Sequence, residues 1–314
     1  MTVTNTIGCT ISVIFVLFIS AWIPFFGPFF SLLTPLPFLF YSSKLGLNQG
    51  IKIGFVTLLF VGIVAKIIGY PQLVLFCLEF GMVGLIISEI FRRGYSFSLT
   101  IFWGTILMLF IGSGFIFLIG LSKGLSPVEM ILNYLQSNLD KTIGLYEKEG
   151  LNQAMVTQLR QLGPVLVDLV KKTYPSLIIV GAGLVVWLNV VLSKPLFIFN
   201  GIKYPDLGQA DQWKAPEYLV WGLIAAGFSL LSSIKYVDFI ALNALIIFSV
   251  IYAFHGFSIL IFFFNKYNVP TWIRAVVYII IVFQQLFLII LALAGLFDQW
   301  INFRKINKNE SESG

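Results

Sequence analysis

Runs of apolar residues recur along this chain, most of them about 17 to 25 residues long, and each such run can cross about 30 Å of hydrocarbon as a helix. They fall at residues 7–23, 28–42, 51–69, 71–91, 97–121, 174–198, 215–234, 237–264 and 273–297. Only 11% of the 314 residues are charged and 58% are hydrophobic, where an average soluble domain carries about 25% charged residues. The pattern predicts an all-α polytopic integral membrane helical bundle of about 8–9 spans. The first two blocks count either as one broken span or as two short ones.

Between residues 122 and 173 the character changes. Apolar residues recur there at helical spacing among charges, as in Ile131, Leu132, Leu135 and Leu139, then Leu159, Leu162, Leu166 and Leu169. That spacing predicts two amphipathic helices outside the membrane, resting on its surface or offering a face to a partner. Ser126, Pro127 and Glu129 form a helix start, with a capping hydroxyl, a proline at the first position and an acid in the first turn. The expected organisation is a membrane bundle over 1–121 with a proline-broken opening hairpin, the amphipathic pair over 122–173, a second bundle over 174–300 and a polar tail over 301–314.

The net charge of +6 does not mark a nucleic-acid binder, because the basic residues sit at the ends of the apolar blocks. Lys44, Lys52, Arg92, Arg93, Lys194, Lys203, Lys214, Lys266 and Arg274 fall on one face if the blocks alternate. Lys66, Lys235, Arg304, Lys305 and Lys308 fall on the other. The richer face is expected to be cytoplasmic, with the chain in the cell inner (cytoplasmic) membrane, its N-terminus inside and the 122–173 segment outside. Arg304, Lys305 and Lys308 then lie against the rule. Three resolutions stay open: the last block does not cross fully, an earlier block is re-entrant, or the charge bias is outvoted. The start, MTVTNTIGCTISV, has no basic region or small-residue cleavage site, so no signal-peptide processing is expected.

Chemistry-bearing residues are few. The stretch WIPFFGPFFSLLTPLPFLF contains Pro24, Pro28, Pro35 and Pro37, each of which breaks or kinks a helix. In lipid, broken backbone persists only where protein or a water-filled cavity receives its polar groups. The prolines therefore mark either a tight turn or the wall of a pocket. Glu79 lies near the middle of the 71–91 block, where a charge costs about 2.5 to 3.5 kcal/mol. It needs a proton, a ligand or a partner such as Lys66. Asn189, Asn243, His255, Gln284 and Gln285 are the other polar residues at depth; their simplest role is hydrogen bonding between helices, worth about 0.6 kcal/mol each. Glu79, Lys66, Asn189, His255, Gln284 and Gln285 together form the candidate substrate-binding set. Trp213 and Trp221, around Pro216 and Glu217, read as interface anchors. Cys9 and Cys77 sit in apolar blocks without metal-ligand spacing. No metal site, cofactor or catalytic group is expected, since the single histidine has no nucleophile at triad spacing and no Walker A glycine loop is present.

The segments PLPFLFYSSKLG, DQWKAPEYLVW, YAFHGFSILIFFFNK and GLFDQWINFRK resemble, over essentially the whole chain, the YybS-like family of predicted bacterial membrane proteins with a domain of unknown function. That family is distantly similar to the S components of energy-coupling-factor transporters. S components often dock through alanines four apart on their first helix, and CTISVIFVLFISAW has no such pair. The resemblance implies a multi-helix membrane fold and small-molecule capture. The expected function is transporter-like binding of a small solute within the bundle, with a structural or assembly protein that binds a partner membrane protein or lipid as the alternative. The expected partners are the lipid bilayer, a small-molecule substrate and a partner membrane subunit, with no nucleic acid.

Overall fold

Five of the expected spans form as single helices in the computed structural model, which describes residues 3–22, 27–148, 153–232 and 234–305. They are α1 (Val3–Trp22), α4 (Leu47–Ile68), α5 (Gln72–Arg92), α6 (Phe97–Lys123) and α10 (Lys235–Lys266), with α2 and α3 lying between the first two. Their ends follow local chemistry. At the end of α4, Gly69 adopts φ 78° and returns its N–H to the Ala65 carbonyl, a left-handed stop that suits glycine, and Pro71 follows.

The other apolar blocks give shorter or longer elements, so fewer single-helix spans form than the apolar blocks suggest. The proline-rich block yields α2 (Gly27–Ser31) and α3 (Pro35–Leu45), of 5 and 11 residues. Pro35 and Pro37 open α3, where their missing N–H groups leave no helical bond unmade. Block 215–234 yields only α9 (Leu219–Ser229), 11 residues or about 16 Å of rise, half of what the hydrocarbon requires. Block 273–297 is bent by 104° between α11 (Thr271–Phe283) and α12 (Gln285–Ile301). Six helices among the described residues are long and apolar enough to cross, or seven if the bent pair counts as one, rather than 8–9. Hydropathy reports composition, whereas crossing needs unbroken length.

In the amphipathic segment, α7 (Pro127–Lys148) opens with the expected cap. The Ser126 N–H donates to Glu129 Oε2 (2.8 Å) and the Glu129 N–H donates to Ser126 Oγ (3.3 Å), a reciprocal capping box. The Ser126 donors hold the Glu129 carboxyl below its ordinary range. The second amphipathic helix does not stop before the next apolar block. Both belong to α8 (Gln153–Phe199), 47 residues long and about 70 Å in rise.

Two compact units divide the chain, one of residues 1–115 with 181–207 and the other of 116–180 with 208–314. Two of their three boundaries fall inside α6 and α8, and the third falls in the stretch between α8 and α9. In the first unit Leu39, Val83, Ile87, Val186 and Val190 form the centre of one fully buried cluster, and Cys9, Val13, Ile53 and Cys77 of another. Lipid is as apolar as these side chains, so close packing and hydrogen bonds drive association. Small residues permit it: a Cβ on Gly84 of α5 would run into the Pro35 carbonyl of α3. In the second unit the core is Ala215, Val220 and Tyr252. Here α10 and α12 meet backbone to backbone, since a Cβ on Gly256 would strike the Leu291 carbonyl and one on Gly295 the Tyr252 carbonyl.

Candidate functional site

In the first unit the proline break leaves a carbonyl to be satisfied. Leu36, one residue past Pro35, returns its N–H to Leu33, so the Leu32 carbonyl is passed over. The Asn189 side chain of α8 donates to that carbonyl (2.8 Å) and to the Val185 carbonyl of its own helix (2.7 Å). Asn189 is fully buried, and among the described residues its Oδ1 has no hydrogen-bond partner. Pro35 and Pro37 are buried at the head of α3. Pro24 lies outside the described residues, as does the Pro28 side chain.

Glu79 is half-buried, the eighth residue of α5. Its Oε1 lies 2.8 Å from where a Cβ on Gly112 of α6 would sit, so the carboxyl rests against bare backbone. Lys66 is exposed at the end of α4, and among the described residues no ion pair joins the two. Glu89, by contrast, pairs with Arg92 and Arg93 near its helix end (3.7 and 3.5 Å). Beyond the spans, burial pushes the Tyr204 hydroxyl up to about 12 despite a bond with Ser193; the hydroxyl donates to the Val190 carbonyl (2.7 Å).

In the second unit Asn243 of α10 repairs another proline break. Pro175 lies within α8 and has no N–H to offer its i−4 carbonyl. One residue on, the Asn243 amide bonds both groups that a regular helix would join to each other. Its Oδ1 accepts from the Ser176 N–H (2.9 Å) and its Nδ2 donates to the Lys172 carbonyl (2.8 Å). A further Nδ2 bond to the Phe239 carbonyl (2.8 Å) nearly saturates the side chain. Gln284 and Gln285 are exposed at the bend between α11 and α12, distant in role from either patched break.

His255 belongs to a cluster that sequence reasoning did not assemble. Its Nε2 lies 3.1 Å from Asp298 Oδ2 and 2.9 Å from Arg304 Nη2. Arg304 Nη2 also donates to Asp298 Oδ2 (3.1 Å), while Nη1 donates to the carbonyls of Asp211 (2.7 Å) and Trp213 (3.0 Å) and to Ser258 Oγ (2.9 Å). Ser258 Oγ in turn donates to the Ala210 carbonyl (2.7 Å). Trp213 packs on the Ala215 core with its ring edge-on to His255, centroids 6.1 Å apart, while Trp221 is exposed on α9. The available signal was the acid and arginine six apart in DQWINFR, which a tail reading treats as solvated.

Two hollows lie away from all of these residues. One of about 510 Å³ runs along α7 beside Asn133, Gln136 and Asp140, and one of about 240 Å³ sits at the turn from α6 to α7 beside Gly120, Gly124 and Leu125. Among the described residues no three His, Cys, Asp or Glu side chains come close enough to hold a metal ion, and Cys9 and Cys77 are buried free thiols. A family described as predicted membrane protein (DUF2232) matches residues 10–299. No curated protein and no solved structure matches the chain.

Proposed function

The chain belongs to the DUF2232 family of predicted membrane proteins, and within that frame we propose that it is a transporter-type protein of the inner membrane that binds a small solute at Glu79. One observation carries the reading. A carboxyl at mid-span with no hydrogen bond or ion pair among the described residues, resting on the backbone of Gly112, is an expensive group to keep in hydrocarbon unless a proton or a ligand meets it. The solute class that fits is cationic or proton-donating. The break at Pro35, whose freed carbonyl needs a donor from α8, is the sort of discontinuity that accompanies binding sites in transporters. No catalytic role is assigned to any side chain.

Glu79→Gln tests the proposal, because it keeps size and hydrogen bonding while removing the charge. The variant should melt within about 3 °C of the parent and, by native mass spectrometry, should lack a small molecule that the parent retains. If Glu79→Gln melts far lower and Glu79→Gln with Lys66→Met recovers, the acid serves as a buried ion-pair partner and the solute reading falls.

A second reading has its own observation. On the early turns of α8, Leu162, Val165, Leu166 and Leu169 are all exposed on one face, at the spacing of an apolar stripe. An assembly protein that docks a partner membrane subunit or lipid would use such a stripe. Native mass spectra with retained lipid or a second chain, and no small solute, would favour it.

A further inference from the structure

The chain turns from α3 into α4 at Gly46, whose φ of 93° glycine adopts at no steric cost. Apart from its chain neighbours, no atom lies within 4 Å of where a Cβ on Gly46 would sit, so the approach to α4 is open. Gly46 has no side chain with which to cap. No side-chain hydrogen bond reaches the start of this 22-residue helix, and the N–H groups of a first turn have no partner within their own helix. Such a terminus carries partial positive charge and draws anions.

The side chains around the turn share that preference. Lys44 on the last turn of α3 and Lys52 on the second turn of α4 are both exposed, and neither forms an ion pair among the described residues. Lys44 Nζ rests 6.0 Å from the Phe40 ring centroid, a contact without a hydrogen-bond acceptor. Ser42 is fully buried, and its Oγ has no hydrogen-bond partner among the described residues. That hydroxyl lies against the first turn of α4, 2.6 Å from where a Cβ on Gly50 would sit. Ser43 Oγ and Gln49 Oε1 are also buried atoms without a partner. A hydroxyl can donate, and the Gln49 amide can turn its NH2 to the same side.

No acid opposes them from the neighbouring helices. In the first unit α1, α3 and α4 carry none. On α5, which packs against α3 and α4, Glu79 lies at mid-span and Glu89 is held by Arg92 and Arg93. Asp206, beyond α8, is the remaining acid of that unit.

From the first turn inward, one side of α4 is bare and apolar. Ile51, Phe55, Leu59 and Ile63 are 50, 63, 55 and 57% exposed, and their spacing of four puts them on a single stripe. We propose that the turn between α3 and α4 binds the phosphate of an anionic phospholipid. The headgroup meets the first-turn N–H groups of α4 together with Lys44 and Lys52, and an acyl chain lies along the stripe from Ile51 to Ile63. Free phosphate presents the same anion but nothing to cover that stripe, which favours the lipid. The inference stands apart from the Glu79 reading and from the exposed leucines of α8.

The test is a native mass spectrometric titration of the full chain in detergent, with phosphatidylglycerol and with phosphatidylcholine of the same acyl chains. The parent should bind the first phosphatidylglycerol about tenfold more tightly than phosphatidylcholine. Lys44→Gln with Lys52→Gln should weaken phosphatidylglycerol binding by about tenfold. Lys194→Gln with Lys203→Gln, which removes the same charge from the same face, should change it by less than about threefold. Asn48→Asp sets a carboxylate on the N–H groups that the phosphate would occupy. It should melt no lower than the parent and still lose about tenfold in phosphatidylglycerol affinity. Millimolar inorganic phosphate should leave the bound lipid in place. Equal losses in the two lysine pairs, a parent without preference for phosphatidylglycerol, or unchanged binding in Asn48→Asp would each overturn the site. Displacement by inorganic phosphate would overturn the lipid in favour of a soluble anion. If the Lys44 and Lys52 double variant cannot be purified, Asn48→Asp decides alone.

Discussion

At the scale of single residues, two asparagines and one arginine do the work that water does in a soluble protein. Asn189 receives the carbonyl freed before Pro35, and Asn243 bonds the Lys172 carbonyl and Ser176 N–H next to Pro175. Arg274 donates to the Phe264 and Val269 carbonyls, at 2.9 and 2.8 Å, where α10 ends before Pro270. Each sits beside a proline, whose ring displaces neighbouring helical bonds where hydrocarbon offers no replacement. The energetic consequence is asymmetric. Replacing one partner leaves the other buried and unsatisfied, at about 1 to 3 kcal/mol, so Asn243→Leu should lower stability by about that much in a thermal or denaturant titration of the purified protein. Asn265→Leu, on an exposed side chain whose bonds are solvent-accessible, should cost less than about 1 kcal/mol. Equal effects would show that the Asn243 bonds carry no more than a surface contact does.

Elements were legible to the extent that length and polarity move together. The blocks that became α1, α4, α5, α6 and α10 are uninterrupted, so hydropathy located them. It overcounted at 28–42 and 215–234, where the side chains are apolar but the helices are 5, 11 and 11 residues long. The cap at Ser126 was readable because it is built from neighbours in sequence. The α10–α12 crossing was not, because it depends on two glycines 39 positions apart by number, Gly256 and Gly295, which carry no periodic signal. There the missing side chains are the contact. Gly256→Ala should therefore overpack the crossing by about 1 to 3 kcal/mol, whereas Gly114→Ala, with open space around it, should be neutral or slightly stabilising for a helix. Comparable melting of the two variants would mean that α12 can slide on α10 without loss. The buried cluster was illegible for a related reason: His255 and Arg304 meet only because that crossing and the left-handed turn at Asn302 bring them together.

At the scale of the whole molecule, the bend at Gln284 bears on the charge conflict raised by the last apolar block. A block bent by 104° can enter the bilayer and return. Within the second unit, Arg304 bonds the Asp211 carbonyl, the Asp211 carboxylate bonds Asn265, and Asn265 bonds Arg274. The residues after α12 thus share one end with the loop before α9 and the loop after α10. If that end is the face of the basic loops, Arg304 and Lys305 join the richer side, leaving Lys66 and Lys235 opposite outside the 122–173 segment. Longer polar segments such as that one translocate with less regard to charge. Single cysteines in the Cys9→Ala, Cys77→Ala background test the arrangement with a membrane-impermeant maleimide on intact cells. Arg93→Cys and Lys305→Cys should label only after lysis, and Glu147→Cys and Ser232→Cys should label before it. Labelling of Lys305→Cys in intact cells, with Arg93→Cys still protected, would mean that α11 and α12 cross as one broken span. The charge bias would then be outvoted at the C-terminus, and Arg304 would be drawn into the bundle from the opposite face.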